Sequence, residues 1–148
     1  MVIDVGLLSR KISQLQNYLA ELRKSDDITW QEYQTDLRSK AFVERFIHLA
    51  IESVIDIANH IVSFQQWREP TGYRDLFVVL YENDVIPQNH LQTFQNMASF
   101  RNMLVHRYNK IDDEVVFGIF QERLGDFDLF SNLIKEWLSN QQTINTPA

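Results

Sequence analysis

Between Phe42 and Val62 an apolar pattern runs through Phe42, Phe46, Ile47, Ala50, Ile51, Val54, Ile55, Ala58, Ile61 and Val62. Steps of three and four make this a helix, but the set covers more than one narrow stripe. Such a helix needs neighbours on two sides, so it is either central to a bundle or part of a subunit interface. No stretch alternates with period two for long, and only four glycines and three prolines punctuate the chain. Strands are therefore hard to place.

The remaining elements follow from the same periodicity. Val5, Leu8, Ile12, Leu15, Leu19 and Leu22 predict a first amphipathic helix, which "SDD" interrupts. Thr29-Trp-Gln-Glu32 reads as a capping box at the start of the long helix, which would then run to about Trp67. "REPTG" (68–72) ends it, a short helix covers Tyr73 to Glu82, and "NDVIP" breaks the chain again. Pro87 suits the first turn of a fourth helix. Asp112 caps a last helical region, which Gly125 bends or splits. The expectation is an all-α antiparallel bundle of four main helices plus a short one, forming a single domain over residues 1–148.

Composition excludes several classes. With no cysteine among 148 residues there is no disulfide framework and no thiol chemistry. The first residues lack a basic segment followed by an apolar block, and no uninterrupted apolar run is long enough to span a bilayer. A cytoplasmic location without membrane attachment is the expectation. The net charge of −6 argues against nonspecific coating of nucleic acid, whose affinity comes from neutralising phosphates. The charge is uneven, however. No Asp or Glu occurs from Val85 to Ile111, where Arg101, Arg107 and Lys110 fall with His90 and His106.

Two constellations carry possible chemistry. His48, Glu52, Asp56 and His60 step by four along the long helix. Di-metal bundles repeat a Glu-x-x-His spacing on a second helix, which is missing here, so a polar seam is the better reading and no metal is expected. The second constellation is "RNMLVHRYNKID", Arg101 to Asp112. On an ideal helix Asn102 and His106 share a face, as do Arg101 and Tyr108 seven residues apart. An arginine that clamps phosphate and a histidine that moves protons are the minimum for metal-free RNA cleavage. From the residues alone, a structural Arg–His pair is the simpler explanation, and Tyr108 is a helix-end tyrosine with its ring packed and its hydroxyl wet.

The full string Arg-Asn, three residues, then His-x-Tyr resembles the motif of the HEPN superfamily. With "AIESVIDIANHI" (50–61) upstream, the chain is similar to the HepT toxin family within it. The resemblance implies a dimeric helical-bundle ribonuclease acting without a cofactor. Arg101 would hold the scissile phosphate, His106 would transfer protons and Asn102 would orient His106. A general base and a general acid need two proton-transfer groups, and the motif supplies one histidine per chain. A two-fold axis beside His106 would complete the site in a homodimer. Tyr108 matches the tyrosine to which an MntA-like nucleotidyltransferase antitoxin attaches AMP, which would silence the toxin. The competing class is a non-catalytic helical partner that docks a nucleotidyltransferase and helps it bind nucleotide or substrate.

Overall fold

The computed structural model describes residues 3–106 and 111–145, with side chains through Gln141. Among them, seven helices and no strand occur. Helix α1 (Val5–Lys24) is capped by Asp4, whose carboxylate accepts from the Leu7 N–H at 2.9 Å. Its predicted stripe is the one it buries: Leu8, Ile12, Leu15, Leu19 and Leu22 are all but inaccessible.

The long helix begins later than its sequence suggests. Thr29 does cap a helix, accepting from the Glu32 N–H at 3.1 Å, but that helix, α2 (Trp30–Thr35), lasts six residues. Asp36 stops it. Its backbone turns extended (φ −102°, ψ 110°), and its carboxylate accepts from the Arg38 N–H and the Ser39 hydroxyl. A short acidic side chain that satisfies the free amides of a new helix outcompetes continuation of the old one. Helix α3 (Leu37–Phe64) then runs 28 residues, about 42 Å at the standard rise.

α3 is the central element. It packs against α1 and α2, and against α4 (Tyr73–Glu82), α5 (Gln88–Val105), α6 (Asp113–Glu122) and α7 (Leu124–Asn145). This is why its apolar residues exceed one stripe. By length and composition α3 alone would pass for a membrane span, but half of its most apolar window is buried inside the bundle. A core helix passes that test for the same reason a span does.

Both helix ends near the later site close without glycine. After α3, the Trp67 N–H reaches the Val62 carbonyl and the Gln66 N–H reaches the Ser63 carbonyl, with Gln66 left-handed at φ 56°. After α4, Val85 and Asp84 bond to Leu80 and Tyr81 in the same pattern, with Asp84 at φ 62°. These are Schellman closures at positions that usually favour glycine.

Three further expectations need adjusting. Pro87 is the N-cap of α5 and lies just outside its first turn. The last helical region is two helices, α6 and α7, separated at Arg123, with Gly125 inside the first turn of α7. Asp112 does cap α6, accepting from the N–H groups of Glu114 and Val115. Phe94, Phe100, Phe120, Phe127, Phe130 and Trp137 are core, as their spacing predicts, whereas Phe42 and Phe46 are only half-buried and pack on each other at 4.7 Å.

Candidate active site at the end of α5

Arg101 sits in the last turns of α5, where α5 lies along α3. Its Nε donates to Glu52 Oε1 on α3 at 2.7 Å. The same oxygen lies 3.3 Å from His48 Nε2, one turn earlier on α3. The guanidinium carbon also stands 4.7 Å from the centroid of the Tyr73 ring. Arg101 is therefore held by two contacts, a charge-assisted hydrogen bond and a cation–π contact. With 21% of the Arg101 side chain and 40% of Glu52 accessible, solvent weakens the pair to about 1 kcal/mol. Among the described residues only Nε is engaged in a hydrogen bond, which leaves the two terminal nitrogens for a ligand. The pair fixes direction more than it supplies stability.

The other half of the motif leaves the helix. α5 ends at Val105, and His106 is its C-cap with extended backbone (ψ 93°). Its N–H donates to the Asn102 carbonyl at 3.0 Å, so Asn102 and His106 are joined through the main chain. The ideal-helix spacing from Asn102 to His106 therefore does not hold, because the helical register stops at Val105. Tyr108, with Arg107 and Lys110, lies outside the described residues. Asn102 and His106 are exposed.

The row of four on α3 is divided among different partners. Glu52 serves Arg101 and touches His48, while Asp56 pairs with Lys11 of α1 at 2.5 Å. The His60 ring stacks on Phe64, and its Nε2 is buried without a hydrogen-bond partner among the described residues. The seam reading describes this row, with Glu52 as the member that reaches the motif. Sequence reasoning passed over that link and over Tyr73. The available signal was charge complementarity: a carboxylate on the central helix and an arginine in a segment with no acid of its own.

Tyr73 is the first residue of α4, whose first turn and last residue are joined by an ion network around Arg68. Arg68 forks onto Asp75 at 2.7 and 2.9 Å and onto Glu82 at 2.9 Å through both Nε and Nη2. Asp75 also accepts from the N–H and hydroxyl of Thr71. Between Tyr73 and Asp75, Arg74 ties α4 to α5 through the Ser99 hydroxyl at 2.6 Å and the Gln95 carbonyl at 3.2 Å. The Arg68 hydrogen bonds hold the Asp75 carboxyl far below the ordinary carboxylate range and lower that of Glu82 as well.

The helical bundle, with Arg101 and His106 at the end of α5, is similar to solved HEPN toxins. It superposes on the tri-AMPylated Shewanella oneidensis HEPN toxin solved in complex with its MNT antitoxin (TM-score 0.78, 28% identity, 87% of this chain and 96% of that one). A toxin–antitoxin structure with AMP-PNP matches at TM-score 0.79 and 27% identity, over 88% of this chain and 98% of that one. The chain belongs to the HepT-like ribonuclease family, whose sequence model matches residues 12–134. It is 38% identical to the mRNA nuclease HepT of Shewanella oneidensis over 84 residues, 57% of this chain and 63% of that protein. The chain thus aligns with somewhat less than two thirds of that relative's length. The tRNA nuclease HepT of Aphanizomenon flos-aquae is 24% identical over 137 residues, 92% of each chain.

A carboxyl with a depressed folded pKa stabilises the fold above its unfolded pKa, and the contribution disappears as pH falls. Thermal stability should therefore decline as pH drops from about 5 toward 3. Asp75→Asn should lower Tm at pH 7 and flatten that decline. Melting curves at a series of pH values check this; an unchanged slope in Asp75→Asn would contradict it.

Proposed function

We propose that this chain is the toxin of a toxin–antitoxin pair, an endoribonuclease that cleaves RNA without a metal ion at a site shared by two subunits. The observation that carries the reading is Arg101. Its guanidinium is held by Glu52 through Nε and by the Tyr73 ring, near the helix end where His106 is the C-cap.

In this mechanism the guanidinium fork takes two oxygens of the scissile phosphate. A ring nitrogen of His106 removes the 2′-hydroxyl proton, and that oxygen attacks phosphorus. The bond from phosphorus to the 5′-oxygen breaks, and the departing oxygen takes a proton from His106 of the partner subunit. The products are a 2′,3′-cyclic phosphate and a 5′-hydroxyl. Arg101 balances the charge that builds on the phosphoryl oxygens. Asn102 stands one turn before His106, and its exposed amide is assigned a positioning role on the family motif alone.

The proposal extends to regulation. Tyr108 would receive AMP from an MntA-like nucleotidyltransferase partner. A phosphate two residues from His106 would bring negative charge to the anion site and repel RNA. The solved HEPN toxin similar to this chain is itself AMPylated and bound to an MNT antitoxin, which supports the same arrangement here.

With purified protein in excess chelator, RNA ends should carry 2′,3′-cyclic phosphate. His106→Ala should reduce cleavage by about 10²–10⁴-fold, and Arg101→Ala by about 10²–10³-fold. Intact RNA with wild-type protein, together with co-purification of a nucleotidyltransferase, would instead identify a non-catalytic adaptor. Tyr108→Phe should still cut RNA but resist silencing by the partner and ATP. Mass spectrometry of the wild-type protein should place the AMP on Tyr108; finding it on another residue would refute the assignment.

A further inference from the structure

We propose that the groove between the end of α3 and the start of α4 binds an unstacked nucleobase of the RNA strand whose phosphate Arg101 holds. It thereby biases where the strand is cut. This inference rests on the cleavage reading above for its consequence, though not for the binding itself.

The groove measures about 520 Å³, and its walls include Asn59, Gln66, Trp67, Glu69 and Tyr73. That is ample for a planar heterocycle. Continuity with the candidate active site comes from Tyr73, whose ring carries the Arg101 guanidinium and also borders the groove. Along α3, Asn59 follows Glu52 by seven residues, two turns on nearly the same face and about 10 Å away. A phosphate at Arg101 thus leaves the groove within reach of a flanking nucleotide.

Its chemistry suits a base better than a phosphate. Trp67 and Tyr73 present aromatic surface, on which any base can stack. Asn59 and Gln66 each carry a donor and an acceptor at the end of a short arm, the pairing that base edges require. Glu69 repels phosphate while remaining able to accept from an exocyclic amine. No lysine or arginine is among the groove's lining residues.

The groove is also built to hold its shape. Gln66 occupies the left-handed position of the α3 closure, where glycine would be less strained, and yet its side chain lines the groove. Trp67 is braced edge-on against Trp137, with ring centroids 6.1 Å apart. The loop that follows is pinned by Arg68 between Asp75 and Glu82. A preorganised aromatic wall gives up little freedom when a base stacks on it.

The test uses 2′-O-methyl RNA trinucleotides, which cannot undergo 2′-oxygen attack, and a matched trinucleotide with an abasic middle residue. Tryptophan fluorescence of the wild-type protein should quench saturably with the base-bearing ligands. The abasic ligand should bind about 5- to 100-fold more weakly, the range expected for one stacking contact. Trp67→Phe should lose most of the quench. Asn59→Ala, an exposed change on a helix surface, should alter the ranking among bases and leave abasic affinity unchanged. Equal binding of abasic and base-bearing ligands, or full quenching in Trp67→Phe with a native melting curve, would overturn the proposal. Base-dependent binding without any RNA cleavage would leave the groove standing and remove the cleavage reading. Cleavage at positions unaltered in Asn59→Ala would do the reverse.

Discussion

The bond between Glu52 and Arg101 ties the chemistry to the fold. Glu52 can stand opposite Arg101 only because α3 runs through the middle of the bundle with α5 along it. The bond uses Nε and so leaves the terminal nitrogens directed elsewhere among the described residues. Tyr73 makes the second contact from the start of α4, a helix that Arg68 braces through Asp75 and Glu82. Two helix–helix contacts and one loop therefore converge on a single guanidinium. Orientation by several weak, half-exposed contacts is a common way to preorganise a group without burying its charge.

This arrangement bears on the acidity of the chain. A protein with net charge −6 gains little from general attraction to RNA. A single oriented arginine beside a groove of aromatic and amide groups suits recognition of one phosphate and its neighbouring base. The segment from Val85 to Ile111 contains no acid, but the fold brings Glu52 to its arginine. Its local positive charge is thus smaller than the sequence segment suggests, and in the proposed dimer the second subunit would add to it.

Elements governed by local pattern were readable from the sequence. α1 buries the predicted stripe, Thr29 and Asp112 cap as their side chains allow, and α4 spans Tyr73–Glu82 as expected. The errors fall where two local signals compete. Asp36 is an ordinary helix residue in a pattern of spacing, but its carboxylate starts a new helix more favourably than its backbone continues the old one. The end of α5 at Val105 has neither glycine nor proline to announce it, so an ideal-helix argument carried the motif too far. Partners across helices were invisible for a different reason. Glu52 and Arg101 are 49 positions apart, and periodicity describes a helix face without naming what that face meets.

The central claim is that Glu52 matters because it aims Arg101, which a double-mutant cycle measures directly. Cleavage rates would be compared for wild type, Glu52→Gln, Arg101→Lys and the pair, with thermal melts confirming the fold of each. If Glu52 acts through the guanidinium, Glu52→Gln should slow cleavage in the wild-type background by about tenfold, near 1.4 kcal/mol. In the Arg101→Lys background, which has no guanidinium to aim, it should have little further effect. Independent, multiplying losses in the double variant would contradict it, because Glu52 would then affect cleavage by a route that does not pass through Arg101.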